Sequence, residues 1–91
     1  MRETLSEKLL IINRRGLHAR ASAKFVNTAA RFSCDITVAK DGTEVCGTSI
    51  MGLMMLAAAP GQYITITATG EDAEEALATL KTLVDEKFGE D

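Results

Sequence analysis

DITVAKDGTEVC, from Asp35 to Cys46, alternates apolar and polar residues on both sides of the pair Asp41-Gly42. Such a pair supplies the positive φ angles of a two-residue turn, so the stretch predicts an antiparallel hairpin. Pairing outward from the turn sets Val38 opposite Val45 on one face and Thr37 opposite Cys46 on the other. Downstream, QYITITATG repeats the alternation: Ile64, Ile66 and Ala68 face one way, Thr65, Thr67 and Thr69 the other. Strands of this kind have one buried and one wet face, as in an antiparallel sheet covered on one side. Upstream, the β-rich run Lys8 to Asn13 (KLLIIN) predicts a further strand ending in a polar turn.

Three helices fit between and after these strands. Ala19, Ala23, Val26 and Ala30 recur at a spacing that makes one stripe on a helix over Ala19 to Ala30. SIMGLMMLAAA is helix-like despite Gly52 and is expected to stop at Pro60-Gly61. Asp72 with Glu75 three residues on has the spacing of a capping box. Behind it Ala73, Leu77, Leu80 and Val84 form an apolar stripe, with Gly89 as a stop. The order strand, helix, strand, strand, helix, strand, helix favours an α+β layer with helices on a single face of the sheet.

A chain of 91 residues, 46% hydrophobic and 25% charged, suits one domain over 1–91. No apolar run approaches the ~20 residues that span a bilayer, and the charged start MRETLSEKLL lacks the apolar stretch of a secretory signal. A cytoplasmic protein without membrane association is expected. Cys34 and Cys46 form no C-x-x-C pair and have a single histidine for company, so two reduced thiols are expected and neither a disulfide nor a metal site. The net charge of -3 argues against nucleic acid as a partner. The distribution of charge says more. Arg14, Arg15, Arg20, Lys24 and Arg31 fall in one early segment, a basic patch able to receive a phosphate or an acidic protein face, while acids collect from Glu71 to Asp91.

The only histidine lies within that patch, in NRRGLHARASAKFV. Gly16 can take a turn conformation closed to other residues, and Leu17 can anchor the turn in the core. His18 is then left at the cap position of the first helix, where unpaired N–H groups and the dipole favour an anion held near the ring, with Arg20 beside it. The same positive surroundings disfavour imidazolium, so a neutral, nucleophilic ring is expected. A histidine acting only as a cap or core filler is the plainer alternative.

GLHAR followed by a helix resembles the HPr family, the histidine-containing phosphocarriers of the phosphoenolpyruvate-dependent phosphotransferase system, whose signature reads G-L-H-x-R-P. TSIMGLMML, from Thr48 to Leu56, is similar to the family's regulatory serine region and stands at the family's distance from the histidine. Ala21 replaces the signature's proline, as in branches tied to nitrogen-related or regulatory phosphorelays. The resemblance implies an open-faced β-sandwich, a four-stranded antiparallel sheet covered on one face by three helices in the order βαββαβα. It implies a phosphocarrier and not an enzyme, without a cofactor. His18 would accept a phosphoryl group at Nδ1 from enzyme I and pass it to IIA-type proteins. Arg20 would contact the phosphate or partners, and Ser49 would be the site of an HPr kinase/phosphorylase. Arg15 is a further candidate contact from the basic patch. Leu53, Leu56 and Ala57 are expected in the core, with Met51, Met54 and Met55, edged by Ile50, turned toward a partner. The competing reading is a non-catalytic interaction module controlled at the serine. A self-sufficient hydrolase ranks last, because no acid partner lies near His18 in sequence.

Overall fold

The computed structural model describes residues 3–90. Four strands, β1 (Glu3–Leu10), β2 (Asp35–Lys40), β3 (Thr43–Cys46) and β4 (Tyr63–Gly70), form one sheet in the order β1-β4-β2-β3. All neighbouring strands are antiparallel. Helices α1 (Ala19–Ala29), α2 (Ile50–Leu56) and α3 (Ala73–Asp85) interleave with them. This is the expected βαββαβα arrangement. Helix α3 packs on β1 and β4, α2 packs on β3 and β2, and α1 lies against the other two helices.

The hairpin has the register its turn dictates: Val38 pairs with Val45 and Thr37 with Cys46. Asp41 and Gly42 both have positive φ, 51° and 84°, as a two-residue hairpin turn requires. Ile64, Ile66 and Ala68 of β4 are buried beneath the helices beside Ile36, Val38 and Leu9. The opposite face is lined with hydroxyls that bond across strands, Ser6 to Thr67 at 2.8 Å and Thr4 to Thr69 at 3.2 Å.

Several local expectations shift. Strand β1 begins at Glu3 and ends at Leu10, instead of running from Lys8 to Asn13, because the eight-residue β4 offers partners as far as Gly70. The buried face of α1 is Ala21, Ser22, Phe25 and Ala29, rotated from the alanine stripe. Phe25 has far more apolar surface to bury than any alanine, and it sets which face turns inward. Helix α2 ends at Leu56, ahead of Pro60-Gly61, because Ala57 adopts a left-handed conformation with φ 52°. That reversal exposes Ala57 and buries Ala58 in its place.

Asp72 occupies the N-cap position of α3 without capping it. Its carboxylate instead accepts hydrogen bonds from Ser33 N at 2.8 Å, Ser33 Oγ at 3.2 Å and Cys34 N at 2.9 Å. The bond from the Ser33 backbone N–H is the largest of the influences that hold this carboxyl below the usual range. Both cysteines are free thiols, Cys34 buried and Cys46 exposed. Burial, then the neighbouring Asp72, pushes the Cys34 thiol up to about 11, while hydrogen bonds from the Thr48 hydroxyl and backbone pull Cys46 down. The thiolate is the reactive form. Iodoacetamide at neutral pH should therefore alkylate Cys46 and spare Cys34 until denaturant is added; equal labelling of the two in the folded protein would contradict this placement.

Candidate functional site

The turn between β1 and α1 is held by backbone bonds that its sequence makes possible. Gly16, with φ 63°, reverses the chain, and Gly16 N donates to Asn13 O at 3.2 Å. Leu17 N then donates to Ala58 O at 2.9 Å, tying the turn to the segment after α2, and the Leu17 side chain enters the core. His18 follows in extended backbone as the N-cap of α1, and its carbonyl accepts the first helical bond from Ser22 N at 2.9 Å. No side chain caps this end, so the N–H groups of Ala19, Arg20 and Ala21 are the helix's free donors.

The acid partner that sequence proximity did not supply comes from the other end of the chain. Nε2 of His18 bonds to Oε2 of Glu90, 72 residues away, and the two side chains are only 15% and 18% exposed. The other oxygen of Glu90 accepts from Asn13 Nδ2 at 3.1 Å, and the same Nδ2 donates to Gly16 O at 2.8 Å. With two acceptors facing its NH2 end, the Asn13 amide can point only one way. Its carbonyl oxygen is left buried with no hydrogen-bond partner among the described residues. A buried orphan of this kind costs about 1–3 kcal/mol, so the arrangement gives up stability to hold Glu90 and the turn in place. For Glu90 itself, burial opposes ionisation, but the bonds from Asn13 and His18 and the charges of His18 and Lys24 outweigh it and hold the carboxyl below its usual value. A carboxyl lowered in this way adds stability in full above the ordinary carboxylate range and loses it as pH falls through the folded value. At neutral pH Glu90 is an acceptor only. The shared proton therefore resides on Nε2, and the lone pair of a neutral ring is on Nδ1.

Glu90 arrives by a short 3-10 turn, Lys87–Gly89, in which three successive residues have left-handed φ: Lys87 58°, Phe88 56° and Gly89 76°. Two of them carry side chains, at a cost of about 1–2 kcal/mol each. Full burial of Phe88 returns roughly 1.5–3 kcal/mol, about enough to offset this strain. The further tie is Lys24 of α1, whose Nζ donates to the Phe88 carbonyl at 2.7 Å.

The remaining candidates gather around this centre at different ranges. Arg15, in the turn, and Arg20, in the first turn of α1, are both exposed. Ser49 caps α2, its Oγ accepting from Gly52 N at 3.0 Å. Leu53 and Leu56 are buried, while Ile50 (41%), Met51 (73%), Met54 (45%) and Met55 (76%) are exposed. Helix α2 packs against α1, and Ala58 just beyond its C-terminus accepts the Leu17 N–H, so the methionine-bearing helix adjoins the His18 turn. Ser49 is at the opposite end of α2, about 10 Å along an axis that rises roughly 1.5 Å per residue. Asn13 and Glu90 escape a reading of the sequence, and Lys24, counted there in the basic patch, is instead bonded to the Phe88 carbonyl. Asn13 carries only a generic turn signal, and nothing local marks a glutamate in an acidic tail as a histidine's partner.

Among the described residues no helix is long and apolar enough to cross a membrane. The family model described as PTS HPr component phosphorylation site matches residues 5–86. The phosphocarrier protein HPr of Neisseria meningitidis serogroup A is 49% identical over 86 residues, covering 94% of this chain and 97% of that protein. The phosphocarrier protein NPr of Shewanella violacea is 38% identical over 86 residues, covering 94% of each. The crystal structure of HPr-C-His from Thermoanaerobacter tengcongensis superposes with a TM-score of 0.92 at 44% identity, over 96% of this chain and 98% of that one. A match along nearly the whole length in sequence, together with the same four-stranded sheet under three helices, places this chain in the HPr family of phosphocarrier proteins of the phosphotransferase system.

Proposed function

We propose that the protein accepts a phosphoryl group on Nδ1 of His18 from phosphorylated enzyme I and hands it to a IIA-type protein, in sugar uptake or in a nitrogen-related relay. The observation that carries this reading is the bond from His18 Nε2 to Glu90. With Nε2 occupied as a donor, Nδ1 holds the lone pair that attacks phosphorus while the bond to the donor breaks. The ring gains positive charge as the N–P bond forms, and the Glu90 carboxylate at Nε2 stabilises it. The incoming oxygens meet the free N–H groups at the start of α1, with Arg20, and at longer reach Arg15, to balance their charge.

The exposed face of Ile50, Met51, Met54 and Met55 serves in this reading as the docking surface for enzyme I and IIA partners, since methionine adapts to differently shaped apolar faces. Ser49, at its rim, is the proposed target of an HPr kinase/phosphorylase. A phosphate there adds about -1.5 to -2 charges at a helix start, where an anion is tolerated, so its effect falls on docking and not on folding.

The test is to incubate the protein with enzyme I and phosphoenolpyruvate and to locate the phosphoryl group by phosphorus–nitrogen correlated NMR. Linkage through Nδ1 is expected. Phosphate on Nε2 would overturn the assignment to Nδ1, and none at all would remove the proposal and leave a non-catalytic interaction module governed at Ser49.

A further inference from the structure

The C-terminal turn is a conformation the chain would not adopt unaided, and what holds it is visible. Lys87 and Phe88 stand in left-handed backbone, the Phe88 side chain is buried, and within the turn Gly89 N bonds to Glu86 O and Glu90 N to Lys87 O, at 3.0 Å and 2.9 Å. These contacts are local to the turn or fix only its aromatic anchor. Among the described residues, the one side-chain bond that ties the turn's backbone to α1 runs from Lys24 Nζ to the Phe88 carbonyl. Lys24 is on the same helix that His18 caps, so a single rigid element presents both the histidine and the clamp on its acid partner.

We infer that Lys24 is a positioning residue, a latch on the C-terminal turn that keeps Glu90 against Nε2 of His18 and thereby keeps Nδ1 as the unprotonated nitrogen. This rests on the phosphocarrier proposal for its purpose, though not for its geometry. Without the latch, Phe88 can remain buried while the two residues after it swing to solvent. Glu90 then hydrates, Nε2 loses its acceptor, and the ring is free to place its proton on either nitrogen. Lys24 touches neither phosphate nor ring; it acts through Glu90.

Nitrogen-15 NMR of the imidazole in the free protein reads the tautomer at neutral pH with no partner present. Wild type should show the Nε2–H form, and Lys24→Met and Glu90→Ala should both shift toward a mixture. Lys24→Arg, which can still donate to the carbonyl, should restore it. Phosphoryl uptake from enzyme I should fall about fivefold in Lys24→Met, the order expected for one hydrogen bond, with the melting curve little changed. In the double variant Lys24→Met/Glu90→Ala the rate should match that of Glu90→Ala alone. A Lys24→Met protein that retains the wild-type tautomer, or a double variant that falls by a further full factor, overturns the latch. Should wild type accept no phosphoryl group, the phosphocarrier proposal fails, and the tautomer spectra still decide for or against Lys24.

Discussion

His18→Ala should give a folded protein that takes up no detectable phosphoryl group from enzyme I and phosphoenolpyruvate. The loss follows because His18 is the chain's only imidazole, and the groups that would stabilise the transferred phosphate, the N–H donors of α1 and Arg20, supply no nucleophile. Survival of the fold is the less obvious half. An N-cap replaced by alanine costs about 1 kcal/mol when its side chain caps the helix, but the His18 side chain makes no cap bond. Glu90 loses one partner, yet at 18% exposure it keeps Asn13 and can recruit water. The melting point should therefore drop by no more than about 8 °C, as expected for roughly 1 kcal/mol in a domain of this size. Labelling of the His18→Ala protein at the wild-type level would move the acceptor elsewhere and end the assignment.

Gly16→Ala should be the most destabilising single-methyl addition in the turn before His18, lowering stability by about 3 kcal/mol and the melting point by roughly 12–24 °C. Two effects add. Left-handed backbone at φ 63° costs an alanine about 1–2 kcal/mol. The added Cβ would lie 2.2 Å from the Ala58 carbonyl oxygen and 3.1 Å from the Ala59 Cα, both backbone atoms that cannot rotate aside. Relief of such overpacking by shifting the main chain costs about 1–3 kcal/mol. The Ala58 oxygen is also the acceptor for Leu17 N, so a shift large enough to admit the methyl breaks the bond that sets where His18 begins its helix. Gly61→Ala is the control: its φ is equally positive, at 88°, but nothing lies within 4 Å of its Cβ position, so it should lose only the conformational part. Thermal melts that find the two variants equally stable would show that the contact with Ala58 does not constrain the turn.

The features that could be read from the chain are those whose cause is local. The hairpin register is written in Asp41-Gly42 and the alternation beside it, because a two-residue turn admits one pairing of its flanks. The alternation in β4 and the apolar stripe of α3 identified their buried faces for the same reason. Legibility fails where a local signal competes with a stronger distant one. The alanines of α1 have helical spacing, yet the helix turns on Phe25, whose surface weighs more than theirs. Asp72 stands where a cap belongs, yet three N–H and O–H donors of the Ser33–Cys34 segment, nearly forty residues earlier in the chain, hold its carboxylate more tightly than one helical N–H would.

Sequence alone determined the order of elements, the antiparallel hairpin, the placement of His18 at a helix start with Arg20 beside it, and an exposed methionine face. Each depends on turn chemistry or on the period of apolar residues, which neighbouring positions specify. Only the tertiary structure supplied the partner of His18 Nε2. Glu90 is carried to the ring by a left-handed turn that Phe88 anchors and Lys24 holds, and it is oriented by the Asn13 amide nitrogen, whose companion carbonyl oxygen has no hydrogen-bond partner among the described residues. A contact spanning 72 residues leaves no period or spacing in the chain, because it exists only after the sheet has formed, α3 has packed on it and α1 has packed against α3, which brings His18 and Glu90 to one place.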